Sequence, residues 1–228
     1  MDRKVREEIE KKGVARSQIV ILEALLKLRQ VCCDPRLIKT GIAKKAAASS
    51  AKLIELMEMV DELLLENRKI LIFSQFTSML TLIEAELNAR KIPYALLTGD
   101  TVDRGSVVRS FQQGAVPLFL ISLKAGGVGL NLTAADTVIH YDPWWNPAAE
   151  NQATDRAWRI GQDKPVFVYK LIAKGTLEEK IQALQQKKAE LAYAMLSGGQ
   201  VNNVEITPED LQAIFAPLGE EVEEEVIE

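Results

Sequence analysis

The segment that decides the fold class reads Lys69-Ile70-Leu71-Ile72-Phe73-Ser74. A short apolar run that does not alternate with polar residues is typical of a strand buried on both faces, as in a parallel sheet. Four further strand-like segments follow along the chain, at residues 94–97, 118–122, 137–141 and 166–171.

Helical patterns lie between these strands. They begin at Ser50, which is expected to cap a helix reaching about residue 66, and continue at residues 77–90 and 103–113. Strands that alternate with helices predict right-handed crossovers and a mainly parallel sheet covered on both faces. The sequence therefore predicts an α/β, doubly wound fold.

The flanking segments predict a simple domain organisation. Residues 1–50 are interpreted as a helical segment and linker, and residues 51–175 as the α/β lobe. Residues 176–199 are expected to form a long bracing helix, and residues 200–228 a short helix with an acidic tail.

Composition narrows the functional classes. The net charge of −4 argues against indiscriminate nucleic-acid binding, although it allows a local basic groove.

Cys32 and Cys33 are adjacent and are the only cysteines, so we expect free thiols in a reducing cytosol. His140 is the only histidine and is expected to be structural. No apolar run has membrane-spanning length, and no signal peptide is expected.

Polar residues follow several of the predicted strands. Ser74 and Gln75 end the first, Ser122 and Lys124 bracket the end of the third, and Asp142 follows the fourth. Because the carboxyl ends of parallel strands meet at one edge of a sheet, we expect these side chains to converge there.

A charged helix is predicted between Asn146, a suitable cap, and Gly161, a residue that permits a left-handed stop. Within it, Gln152, Arg156 and Arg159 are spaced so that they share one face. Two guanidinium groups on one face suit a polyanion, above all a phosphate chain.

A solvated basic face explains the same spacing, with one surface ion pair between Asp155 and Arg159. Residues 124–132 form a glycine-rich loop whose backbone could approach a phosphate or a sugar closely, and a tight turn explains that pattern too. Neither the dinucleotide glycine fingerprint nor a Walker loop occurs in the chain, which argues against a dinucleotide enzyme.

Three segments, in the same order along the chain, resemble motifs of Swi/Snf-type ATPases of helicase superfamily 2. They are residues 70–76, 124–132 and 142–162. One departure is Trp158, which stands where the family usually has histidine and is expected to alter packing more than chemistry.

The resemblance implies a RecA-like, C-terminal motor lobe of an ATP-dependent double-stranded DNA translocase. It implies that Arg156 and Arg159 are arginine fingers. The positions that it assigns to the nucleotide are Gly129, Asn131 and Gln152. Those assigned to DNA are Ser74, Gln75, Arg104, Ser122, Lys124 and Trp145.

Alternatives stay open for several of these positions. Strand-end capping explains Ser74 and Gln75, a surface ion pair explains Arg104, and packing explains Trp145. A non-enzymatic interaction module, whose arginines bind an acidic partner protein, is the rival to the motor interpretation as a whole.

The implied cofactor is ATP, with Mg²⁺ held by an N-terminal lobe that this chain does not contain, so the chain alone is expected to be inactive. The implied partners are double-stranded DNA, that N-terminal lobe and a protein–DNA complex to be remodelled, with no membrane. The expected location is the cytoplasm, with the nucleoid, in a prokaryote and the nucleus in a eukaryote.

Overall fold

The computed structural model describes residues 20–38, 50–125, 129–144 and 147–196, with side chains described as far as residue 187. Expectations for residues 1–19, the linker before Ser50, Trp145, the Asn146 cap and residues 200–228 lie outside this part of the chain. Within the described ranges, no helix is long and apolar enough to cross a membrane.

Five strands form one parallel sheet, as predicted. Their order across the sheet is β2-β3-β1-β4-β5. All four neighbouring pairs are parallel. The strands are β1 (Ile70–Ser74), β2 (Tyr94–Leu97), β3 (Leu118–Ser122), β4 (Thr137–His140) and β5 (Phe167–Lys170).

Helices connect or flank these strands close to the predicted positions. Residues 20–33 are helical (α1), and a short 3₁₀ helix follows at Pro35–Leu37. The other helices are α2 (Ala51–Leu65), α3 (Thr77–Ala89), α4 (Arg104–Gln112), α5 (Pro147–Thr154) and α6 (Leu177–Leu196).

The cap of α2 differs from the prediction. Ser50 precedes the helix but makes no side-chain cap, because its hydroxyl donates to the carbonyl of Cys33 at 2.8 Å. Asp103, in contrast, caps α4 by accepting from the amide of Ser106 at 2.9 Å.

Alternate residues of β1 explain why helices cover both faces of the sheet. Ile70 and Ile72 belong to one buried cluster, which includes residues of α2 and α3. Leu71 and Phe73 belong to a second cluster, which includes Phe111 of α4 and Ala153 of α5. Burial on both faces is what the continuous apolar run predicts.

The chain divides into two compact units. One is Arg29–Ala173, which holds the whole sheet. The other comprises Met1–Leu28 and Lys174–Glu228. The domain boundaries expected from the sequence stay predictions.

Candidate functional site

The carboxyl ends of β1 and β3 lie side by side. Ser74 and Ser122 are register partners in the two strands, and the amide of Leu123 donates to the Ser74 carbonyl at 2.9 Å. Both serine side chains are buried. The Ser122 hydroxyl accepts from the amide of Ala125 at 3.4 Å. These serines therefore organise the loops that leave the sheet, in agreement with strand-end capping.

Asp142 ties the loop after β1 to the loop after β4. Its carboxylate accepts from the amide of Gln75 at 3.3 and 3.2 Å. Burial raises the pKa of Asp142, whereas the Ser74 hydroxyl, the nearby charge of Arg29 and the contacts with Gln75 act in the opposite direction. The predicted convergence of polar residues at this edge is present.

Arg29 also contacts the loop after β4, and this role was not predicted from the sequence. Its Nη2 donates to the carbonyl of Pro143 at 2.5 Å. Its guanidinium also faces the rings of Phe76 and Trp144, at 5.9 and 5.6 Å. No sequence signal distinguished Arg29, because Glu23, Lys27 and Gln30 lie in the same helical segment. A charged residue is buried only when it is partnered.

The helix that was predicted to reach Gly161 ends at Thr154. The carbonyl of Arg156 accepts from the amide of Leu132 at 2.9 Å, so a neighbouring loop takes a group that a continuing helix would use itself. Gly161 has the expected left-handed conformation, with φ of +100°, but it ends a turn and not the helix. The prediction of one continuous arginine-bearing helix was wrong.

The two arginines lie on this turn, which we call the arginine turn (residues 155–162). Arg156 is 5% exposed, and its Nε has no acceptor among the described residues. Burial lowers the pKa of Arg156, and the like charge of Arg159 lowers it further. Arg159 itself is exposed. Within the described part of the chain, the predicted Asp155–Arg159 ion pair does not form.

An open pocket of about 650 Å³ lies beside the exposed arginine. It is lined by Asn131, Trp158, Arg159 and Ile160. Trp158 is 70% exposed. Gly129, close to Asn131 in the glycine-rich loop, is exposed and has φ of +38°.

Gln162 joins the segment that follows the glycine-rich loop, at residues 133–135, to the rest of the arginine turn, and it was also missed as a site residue. Its Nε2 lies within hydrogen-bonding distance of the carbonyls of Thr133, Ala135 and Ala157, at 3.1, 2.6 and 3.1 Å. Its Oε1 accepts from the amide of Lys164 at 3.0 Å. The side chain of Gln162 thus links residues 133–135 to the arginine turn.

The remaining predicted positions are more dispersed. Lys124 is exposed just beyond β3, and Gln152 is exposed on α5, upstream of the arginine turn. Arg104 is the half-buried first residue of α4 and forms no ion pair within the described residues. Trp145 lies outside them.

His140 has the structural environment that was expected. Its ring is buried and stacks on Phe73 with a centroid separation of 5.6 Å, and its Nε2 lies 3.1 Å from the Thr154 hydroxyl. Burial lowers the pKa of His140 to about 4. No group of three or more metal-ligating side chains occurs among the described residues.

A parallel α/β lobe with polar strand ends and an arginine turn defines the class of a helicase C-terminal domain. The family described as "Helicase conserved C-terminal domain" matches residues 51–161. The structure of the Sulfolobus solfataricus SWI2/SNF2 ATPase C-terminal domain is similar, with a TM-score of 0.70 and 33% sequence identity. That match covers 92% of this chain and 87% of the other. The chain belongs to the Swi2/Snf2 ATPase family, as its C-terminal helicase lobe.

Two further comparisons extend this assignment. The Sulfolobus solfataricus SWI2/SNF2 ATPase core in complex with dsDNA has a TM-score of 0.72 and 36% identity, over 93% of this chain and 45% of that one. YwqA of Bacillus subtilis, provisionally named an ATP-dependent helicase/translocase, is 41% identical over 202 residues, which are 86% of this chain.

The curated relatives are far longer than this chain. It spans 22% of YwqA and 12% of the chromatin-remodelling ATPase INO80 of Aspergillus oryzae. The names of these relatives describe ATP-dependent enzymes, of which this lobe corresponds to one part.

Proposed function

We propose that this chain is the C-terminal motor lobe of an ATP-dependent double-stranded DNA translocase, and that Arg156 and Arg159 bind the phosphates of ATP as arginine fingers. The observation that carries the proposal is the uncompensated charge of Arg156, which is 5% exposed and has no carboxylate partner among the described residues. A buried charge is costly unless it is paired. A triphosphate would supply the missing anion.

The nucleotide side of the proposed site is built around the arginine turn. Asn131 lines the same pocket as Arg159, so both can reach one ligand. Gly129 has a positive φ, which glycine adopts without strain because it has no side chain. The backbone around it can approach a phosphate or sugar closely. Gln152 contributes a further exposed amide from α5.

The rest of the ATP site would come from an N-terminal lobe. The sequence contains no Gly-Lys-Ser/Thr phosphate cradle, and phosphoryl transfer also requires a held Mg²⁺ and a positioned water. In this arrangement ATP and Mg²⁺ are bound mainly by that lobe. The two arginines stabilise the charge that develops on the transferred phosphoryl group.

The DNA side is proposed at the loops that leave β1 and β3. Lys124 is exposed there and Gln75 is half-buried, so both are placed to contact the DNA backbone. Ser74 and Ser122 are buried and would act by fixing the two loops. Arg104 and Trp145 complete the proposed set. Contacts to phosphates carry little sequence information, so we expect low sequence specificity.

Chain continuity supports a coupling between the two sides. The glycine-rich loop begins near Lys124 and ends at Leu132, whose amide donates to the carbonyl of Arg156 at 2.9 Å. The amide of Leu123 donates to the carbonyl of Ser74, at the end of β1, at 2.9 Å. A shift of the arginine turn on nucleotide binding would therefore be transmitted to the DNA loop. Repeated cycles would move the lobe along DNA and remodel a protein–DNA complex, in the nucleoid or the nucleus.

A paired kinetic and binding experiment on the two-lobe protein tests the proposal. Arg156→Ala or Arg159→Ala should lower DNA-stimulated kcat by about 10³-fold or more and leave DNA affinity unchanged, because arginine fingers act on the transition state. Lys124→Ala should weaken DNA binding and reduce its salt dependence.

The matched control is Arg90→Ala, which removes a surface partner of Asp61 and should change neither quantity. Full ATPase activity in both arginine variants would overturn the proposal. Binding of an acidic protein that depends on these arginines but not on ATP would favour the interaction module instead.

A further inference from the structure

Trp158 is the most exposed aromatic side chain beside the proposed phosphate-binding residues. It is 70% exposed, directly precedes Arg159 and lines the same pocket. Its backbone is held by a local contact, since its amide donates to the carbonyl of Thr154 at 3.2 Å. Tryptophan side chains are highly buried on average. The exposed indole of Trp158 is therefore available to contact a ligand.

The composition of the pocket indicates what that ligand is. Arg159 supplies a guanidinium for phosphate, Asn131 an amide for sugar hydroxyls, and Trp158 a flat aromatic face. The volume of about 650 Å³ is that of a small-molecule site. A cation, an amide and an aromatic ring match the three parts of a nucleotide.

We propose that the indole of Trp158 stacks on the base of the nucleotide whose phosphates Arg159 binds. This inference rests on the proposed function and adds a base-binding subsite to this lobe. Stacking on an aromatic face does not read the hydrogen-bonding edge of a base. The subsite therefore favours purines for their larger ring area and discriminates little between ATP and GTP.

Equilibrium titrations of the two-lobe protein, without DNA, with ATP and with inorganic tripolyphosphate test the stacking directly. Tripolyphosphate carries the same phosphate chain without base or sugar. Trp158→Ala should weaken ATP binding about tenfold, in line with the energy of base–aromatic stacking, and leave tripolyphosphate binding unchanged. Trp158→Phe should retain most of the ATP affinity because it keeps an aromatic face.

Leu65→Ala is the matched control, because Leu65 is a large apolar side chain that is 84% exposed and lies outside the pocket. It should change neither affinity. The stacking inference is overturned if Trp158→Ala leaves ATP affinity intact or if it weakens both ligands equally.

The same titrations separate this inference from the function on which it rests. Arg159→Ala should weaken ATP and tripolyphosphate alike. If it weakens neither and also leaves kcat of the two-lobe protein unchanged, the phosphate role of the arginine turn is wrong. If it weakens both while Trp158→Ala has no effect, only the base subsite is wrong.

Discussion

Arg29 and Pro143 are joined by a hydrogen bond of 2.5 Å between the guanidinium Nη2 and the carbonyl oxygen, across 114 positions of the sequence. The contact fixes the loop between β4 and α5, from which the chain continues into the arginine turn. Asp142, next to Pro143, benefits from the same positive charge. A buried cation thus positions one edge of the proposed site without belonging to it.

Arg29→Ala should lower the free energy of unfolding by about 3 kcal/mol, because removing one member of a buried charged contact leaves its partners unsatisfied. Urea unfolding measures this. Arg90→Ala, which removes only an exposed ion pair with Asp61, should cost less than about 1 kcal/mol. Equal, small losses in the two variants would show that Arg29 contributes nothing to the fold.

The pKa of His140 should make stability depend on pH in mild acid. In the fold it is lowered to about 4 from the usual 6.5, so the unfolded chain takes up a proton between these values and the folded chain does not. The contribution is fully present above pH 6.5 and is lost as the pH falls toward 4.

His140→Gln removes this titration. Between pH 7 and pH 5 the wild type should lose up to about 2 kcal/mol more unfolding free energy than the variant. The nearby charges of Glu150 and Lys170 act on the same imidazole, since Glu150 raises its pKa and Lys170 lowers it, both by less than burial lowers it. Parallel stability curves for the two proteins across this range would contradict the buried, neutral state of the imidazole.

Gln162→Glu should weaken the contact between residues 133–135 and the arginine turn. The amide nitrogen lies near three carbonyls, and a carboxylate there can donate to none of them and repels all three. We expect a loss of about 2 kcal/mol or more in the free energy of unfolding.

Gln112→Glu is the matched control on the same loop. The Oε1 of Gln112 accepts from the amide of Ala134 at 2.9 Å, and a carboxylate keeps that bond. The Thr133 hydroxyl, 3.4 Å from Nε2, can then donate in place of accepting. A similar loss in both variants would mean that the charge itself, and not the reversed hydrogen bonds, is responsible.

Two hydroxyls share one carbonyl at the end of α1. Ser50 and Tyr141 both donate to the Cys33 oxygen, at 2.8 and 3.0 Å. Ser50→Ala or Tyr141→Phe alone should cost about 1 kcal/mol, since the carbonyl keeps one donor. The double variant should cost an amount that differs from the sum, because the two hydroxyls share one acceptor. Strict additivity in a double-mutant cycle would exclude this sharing.

Local sequence signals predicted the strands well. The residues of β2 and β3 agree with the predicted ranges, and those of β4 and β5 differ only at their ends, because short apolar runs mark buried strands. The order of the strands was not predicted, since hydrophobic pattern does not say which strands become neighbours.

The arginine turn shows where sequence reasoning failed. Spacing alone allowed a helix through Arg156, but the amide of Leu132, distant in sequence, takes the carbonyl of Arg156. The roles of Arg29 and Gln162 were missed for the same reason, because their partners lie on other segments. Spacing singled out the two arginines and the resemblance assigned them to ATP, which stays a prediction. The turn that carries them follows from tertiary contacts.

The measurement that tests the central claim most directly is the stability and activity of Arg156→Met in the two-lobe protein and in this chain. Methionine is similar in length and carries no charge, so without nucleotide the chain should be about 1 kcal/mol more stable to urea, because an uncompensated buried charge is gone. The same change should abolish DNA-stimulated ATP hydrolysis in the two-lobe protein. A variant that is less stable and hydrolyses ATP at the wild-type rate would contradict the claim that Arg156 is kept for a phosphate.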